Sequence, residues 1–167
     1  SNGVMTLPFF NGERSPNLPQ GKGCILGLDA GNYLPENLLR SAMESAVYAL
    51  RAGRDAFVDL GCAFDTVRLT GGGAASAVWR QMVANILELP VSVQTVDEGA
   101  ALGAALQALW TWQREQGGAA SLQELVDEHL IPDPARDCEP QAAEVAIYDR
   151  CYREYLRHVE TVTPLYA

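Results

Sequence analysis

Three consecutive glycines, Gly71, Gly72 and Gly73, stand in the stretch LTGGGAAS at residues 69–76, between the β-branched run TVRLT and a helical pattern that begins near Ser76. Glycine loses more conformational freedom on folding than any other residue, so three in a row require a reason: positive φ angles, or close approach of another group to the backbone. Set between a strand and a helix start, such a turn offers unpaired N–H groups and the positive end of a helix dipole, which favour a phosphate or another anion. That chemistry would suit a nucleotide cradle. A tight turn packed against a neighbouring element accounts for the same spacing equally well. The pattern is neither GxxxxGK[ST] nor GxGxxG, so any nucleotide here is held differently from those two classes.

Other groups invite the same question. In GLDAGN, Gly27–Asn32, Asp29 follows an apolar strand and precedes a glycine, a setting in which a carboxylate can hold a magnesium ion through water. The chain then continues into Pro35 and a long helix instead of a second strand, which favours a structural loop. In EGAALGAA the residues Gly99, Ala100, Gly103 and Ala104 recur at four-residue spacing and predict a flat helix face for close packing. His129 and His158 lie in polar helical surroundings with no Ser or Cys at helical spacing to activate, so both are expected to be exposed. Cys24, Cys62, Cys138 and Cys151 form no CxxC pair and have no histidine at metal-ligand spacing, and read as core thiols of a reducing cytoplasm.

The elements that must position these groups follow from pattern. The first 34 residues, rich in Pro and Gly, predict mostly loop with one short strand over Cys24–Leu28. Pro35 suits the first position of a helix. From there Leu38, Leu39, Ala42, Met43, Ala46, Val47 and Leu50 recur at steps of three and four, predicting one core-facing stripe, and Gly61 is a natural end. TVRLT reads as a strand, then a helix over 76–87 with Val78, Met82, Val83 and Ile86 on one side, then the strand VSVQTV. Asp97 and Glu98 sit where acidic residues stabilise a helix start. Strand, glycine loop, helix, strand, helix is a βαβ-like order, which predicts an α/β sheet. The segment SLQELVDEHL predicts a short amphipathic helix. A final helix over 141–159 carries Val145, Tyr148, Tyr152 and Tyr155, which with Trp110 and Trp112 read as core or interface anchors.

At 167 residues, 48% apolar and 20% charged, the chain predicts one soluble globular domain. A net charge of −9 argues against duplex DNA or an anionic membrane as partner. No basic segment precedes an apolar one as in a signal peptide, and no apolar run is long enough to span a bilayer, so a cytoplasmic protein is expected. Ser1 and Asn2 resemble the remnant of a removed tag. Residues 1–3 are therefore read as remnant and cut point, and 4–167 as the domain proper.

Four blocks together, LPFFNGERSP, GLDAGNYLPENLLRSAMESAVYALR, LTGGGAASAVWRQMVANILELPV and EGAALGAALQAL, resemble in order and spacing the C-terminal part of carbohydrate kinases of the FGGY family. The resemblance implies a ribonuclease H-like, actin-like ATPase domain lacking its first strands. It also implies ATP and Mg2+ as cofactors and phosphorylation of a pentulose, D-xylulose foremost, with glycerol, gluconate or another ketose, or a non-catalytic nucleotide-binding module, as alternatives. Carried onto this chain, Gly71, Gly72 and Gly73 line the nucleotide, with Ser76 or its neighbour beside the ribose or adenine. The neighbour departs from the family pattern, since related glycerol kinases have an asparagine where Ala77 stands. Gly12, Glu13 and Arg14 match a turn near the cleft and are assigned to positioning. The family's catalytic aspartate and sugar contacts belong to an N-terminal domain outside these residues, so no catalytic residue is assigned here, and Asp29 is the first carboxylate to test if the chain alone proves active. The implied partners are ATP and a sugar, with homodimerisation left open.

Overall fold

The computed structural model describes residues 1–166. They divide into two compact units: Ser1–Ala63 with Asn85–Glu88 and the chain from Pro140 onward, and Phe64–Ala84 with Leu89–Glu139.

In the first unit, strands β1 (Met5–Leu7) and β2 (Cys24–Leu26) pair antiparallel, with Thr6 opposite Ile25. β1 was not legible in the proline- and glycine-rich opening, and β2 is shorter than expected. Helix α1 (Pro35–Asp59) begins on its proline as anticipated. It closes in a Schellman motif: Gly61, at φ +89°, donates its N–H to the Val58 carbonyl at 2.8 Å, and the Cys62 N–H reaches the Phe57 carbonyl at 3.0 Å.

Of the expected apolar stripe α1 buries Val47 and half-buries Leu38, Met43 and Ala46, and most of the buried face lies elsewhere. Asn37, Ser41, Glu44, Ser45, Val47, Tyr48 and Arg51 point inward, whereas Leu39 is 67% and Leu50 55% exposed. Both faces recur at steps of three and four, so periodicity alone does not choose between them. The choice falls to what α1 packs on. Against β1 the small Ser41 lets the backbones approach and shares a 2.7 Å hydrogen bond with Thr6.

Helix α6 (Ala142–Val162) brings Tyr148, Tyr152 and Tyr155 around Tyr48, with ring centroids 6.4, 6.2 and 5.5 Å away respectively. The expectation that the tyrosines of this helix are core anchors holds. Arg51 lies 4.4 Å from the Tyr152 ring centroid, and its guanidinium meets Asp149 at 2.5 Å, Glu88 at 2.7 Å and the Ile86 carbonyl at 3.1 Å. Burying that charge is tolerable because the guanidinium is paired and its flat face is covered.

In the second unit, β3 (Val67–Leu69) and β4 (Val91–Val93) pair in parallel, Arg68 opposite Ser92, as the βαβ-like order requires. Between them the expected helix over 76–87 is α3 (Ala77–Leu87), and the glycine run adds a short helical turn, α2 (Gly72–Ala75), separated from it by Ser76, whose ψ of 116° is extended. Met82, Val83 and Ile86 of α3 are buried, but Val78 is exposed. Helix α4 (Gly99–Glu115) packs on α5 (Leu122–His129), with Leu106 and Leu125 buried and the Trp110 indole N–H donating to the Ala120 carbonyl at 3.1 Å. Ser121 and Glu124 close a reciprocal capping box at the start of α5.

Three further expectations change. Gly103, Ala100 and Ala104 are exposed, and a Cβ on Gly103 would meet nothing within 4 Å, so the flat face packs only at Gly99. No cysteine is buried: Cys62 is exposed and Cys24, Cys138 and Cys151 are half-buried. His129 and His158 are half-buried instead of exposed, with His158 3.9 Å from Glu154.

Candidate functional site

The glycine turn leaves the end of β3, and its three glycines serve three different ends. Gly71 has φ +80° and ψ −173°, a backbone region essentially closed to other residues. Gly73 has a neighbour: an added Cβ would lie 2.9 Å from the indole nitrogen of Trp79. Gly72 is required by neither, because a Cβ there would meet nothing within 4 Å. Of the two readings open from sequence, the packed turn accounts for Gly71 and Gly73, while Gly72 faces open space.

Both ends of the turn are tied. At its start the Gly71 N–H donates to the Asp97 carbonyl at 2.8 Å, and the same oxygen accepts from the Thr70 hydroxyl at 3.2 Å and the Gly99 N–H at 3.0 Å. At its end Arg80, only 7% exposed, donates from Nη1 to the Ala74 carbonyl at 2.7 Å and from Nε to the Arg136 carbonyl at 2.9 Å. Arg136 in turn reaches Asp97 Oδ1 at 3.1 Å, Asp133 Oδ2 at 2.7 Å and the Gln94 carbonyl. These carboxylates, Asp133 first, hold its guanidinium above its ordinary value. Arg136 carried no individual signal in the sequence, Arg80 only its place in the third block of the resemblance, and Asp97 was expected to serve the start of α4, whereas its carboxylate meets Arg136.

Ser76 caps α3: its hydroxyl oxygen accepts the Trp79 N–H at 3.3 Å and its carbonyl the Arg80 N–H at 3.0 Å. The side chain is exposed, and its proton can still be donated outward. Ala77 is likewise exposed and has no polar group to offer.

Asp29 belongs to a self-contained loop. Its Oδ1 accepts from the Gly31 and Asn32 N–H groups at 2.6 and 2.9 Å, while Asn32 returns a bond to the Asp29 N–H at 2.7 Å. This is an Asx-type turn, in agreement with the structural reading. The Gly12–Arg14 turn is closed by paired bonds between Glu13 and Leu18, 2.8 and 2.9 Å, and borders an open hollow. Among the described residues no group of three or more His, Cys, Asp or Glu side chains is placed to hold a metal ion.

Residues 1–112 match the FGGY family of carbohydrate kinases, C-terminal domain. The chain belongs to the FGGY family. Xylulose kinase of Haemophilus influenzae is 42% identical over 159 residues, which is 95% of this chain and 31% of that protein. Gluconokinase of Bacillus subtilis is 34% identical over 115 residues, 66% of this chain and 22% of that protein. The crystal structure of xylulose kinase from Rhodospirillum rubrum superposes with a TM-score of 0.81 at 25% identity, covering 99% of this chain and 32% of that one. The chain therefore has the actin-like ATPase fold of FGGY kinases and spans about a third of the length of the xylulose kinases it matches. Among the described residues no helix is long and apolar enough to cross a membrane.

Proposed function

We propose that this chain is the nucleotide-binding part of an ATP-dependent sugar kinase whose acceptor is D-xylulose. The observation that carries this reading is the 42% identity to a xylulose kinase along 95% of the chain. The open face of Gly72 supports it, since a side chain there would take up volume that a phosphate or ribose needs. In this reading Gly71, Gly72 and Gly73 line the nucleotide and Ser76 turns its hydroxyl proton toward it. Mg2+ would accompany the ATP phosphates, whose charge it neutralises.

In such a kinase the γ-phosphoryl passes in line to a sugar hydroxyl, and the protein contributes positioning and charge stabilisation as its domains close. The part taken by this chain is to orient the nucleotide. The base that accepts the hydroxyl proton and the sugar contacts lie in the remainder of the full-length enzyme. That enzyme would work in the cytoplasm, and light scattering decides whether it forms a homodimer.

A coupled ADP assay on the full-length protein with D-xylulose, gluconate and glycerol tests the reading. Turnover of about 1 per second or faster with the highest kcat/KM for D-xylulose is the expected result, together with no sugar-dependent ADP from the 167 residues alone. Preference for gluconate, the second reading favoured by the gluconokinase likeness, would reassign the sugar. Nucleotide binding without transfer to any sugar would make the protein a binding module. Within the full-length enzyme Gly72→Val is expected to weaken ATP binding at least about tenfold by occupying the open face, with sugar affinity and melting temperature nearly unchanged.

A further inference from the structure

The two ends of the glycine turn are held by residues remote in sequence, and the two holds meet at one residue, Arg136, through its main-chain carbonyl and its guanidinium. The start of the turn hangs from the Asp97 carbonyl through the Gly71 N–H, 2.8 Å. The end hangs from Arg80 through the Ala74 carbonyl, 2.7 Å. Arg80 donates to the main-chain carbonyl of Arg136 at 2.9 Å, and the Arg136 guanidinium reaches the Asp97 carboxylate at 3.1 Å. Gly71, Asp97, Arg136, Arg80 and Ala74 thus form a closed circuit around the turn.

We propose that Arg136 is a positioning residue that sets nucleotide affinity by locking both ends of the Gly71–Gly73 turn at once. The inference rests on the nucleotide-binding reading above and extends it to a residue more than sixty positions downstream that need not touch the nucleotide.

A run of glycines has the largest backbone freedom of any triplet, so a cradle built from it loses affinity to entropy unless something outside holds it in the binding geometry. Within the turn itself the restraint is two backbone bonds, the Ala74 N–H to the Gly71 carbonyl at 2.9 Å and the Ser76 N–H to the Gly73 carbonyl at 3.2 Å, while Gly71 and Gly72 carry no side chain and a Cβ on either would meet nothing within 4 Å. The outside hold needs a donor that can reach several acceptors in one plane. Arg136 spends Nε on Asp133 at 2.7 Å, Nη1 on Asp97 at 3.1 Å and Nη2 on the Gln94 carbonyl at the end of β4, which only a guanidinium fork can do. The Asp133 and Gln94 contacts fasten the arginine to its own turn and to the strand. Of the three guanidinium contacts, that to Asp97 acts on the start of the turn, because the carbonyl of Asp97 is the acceptor for Gly71, while the Arg136 carbonyl acts on the end through Arg80.

The test compares Arg136→Lys, Asp97→Asn and the double variant in the full-length protein, measuring affinity for a non-hydrolysable ATP analogue, affinity for D-xylulose and melting temperature. Lysine keeps the charge but reaches fewer acceptors; asparagine keeps every backbone atom, including the carbonyl that Gly71 uses. The expected result is a loss of about tenfold in nucleotide affinity for Arg136→Lys, a smaller loss for Asp97→Asn, and a double variant no worse than Arg136→Lys, with sugar affinity unchanged throughout. Equal losses in both affinities alongside a falling melting temperature would overturn the proposal in favour of general stabilisation. Unchanged nucleotide affinity, or additive losses in the double variant, would also overturn it. Failure of the unmodified protein to bind the analogue while it binds the sugar would refute the nucleotide reading itself, and this inference with it.

Discussion

The hydroxyl oxygen of Thr70 lies 2.4 Å from the point that a Cβ on Gly99 would occupy. The start of α4 and the end of β3 therefore approach each other through a glycine, and Thr70 uses the contact to donate its hydroxyl to the Asp97 carbonyl. Gly103, one helical turn further along the same face, faces open space.

The two glycines of α4 are expected to respond in opposite directions to the same substitution. Gly99→Ala forces Thr70 out of its hydrogen bond and costs about 1–3 kcal/mol, as overpacking does in a tight contact. Gly103→Ala gains about 0.5–1 kcal/mol by reducing the freedom of the unfolded chain at a helix-interior site with room for the methyl. Urea unfolding of both variants decides the matter, and destabilisation by Gly103→Ala would mean that this face is covered.

Helix α1 offers a parallel comparison. Leu39→Ser and Leu50→Ser, on the exposed stripe, are expected to shift unfolding by no more than about 0.5 kcal/mol. Tyr48→Ala, which empties the centre of the four-tyrosine cluster, should cost about 3–5 kcal/mol. A large loss at Leu50 would show that its side chain is covered in solution.

The same cluster predicts an alkaline limit to stability. Burial pushes the Tyr155 phenol up to about 12, and burial likewise raises Tyr48, Tyr148 and Tyr152 above the ordinary value near 10. A phenol whose folded pKa is raised contributes stability that is complete below the unfolded pKa, about 10, and is lost as pH rises toward the folded value. Stability should therefore hold through pH 9 and fall between about 10 and 12. Tyr155→Phe is expected to make that fall shallower while leaving neutral-pH stability nearly unchanged. The check is the denaturant midpoint at neutral and alkaline pH, read beside tyrosinate absorbance.

Much of the local architecture was legible because its causes are local. Pro35 opens α1 and Gly61 closes it by backbone rules that involve only adjacent residues. The β3–turn–helix–β4 order follows from the change of periodicity, and the tyrosines of α6 declared themselves by helical spacing. Within the candidate site, the glycine turn was visible from composition, but what each glycine is for was not. Gly73 depends on the Trp79 indole, six residues away, and Gly71 on a carbonyl that arrives with Asp97.

The sequence by itself determined the family, the order of elements and the presence of a glycine turn between strand and helix, since these reside in residue order and in interactions between near neighbours. Tertiary structure decided which of two similar stripes α1 buries, that Gly103 stands free while Gly99 is pressed against Thr70, and that Arg80 and Arg136 grip the turn. The physical reason is common to all three. A periodic pattern specifies that a face exists, but the groups that cover it, and the carbonyls a guanidinium can reach, are supplied by segments as far apart as the 56 positions between Arg80 and Arg136, and their meeting is a property of packing alone.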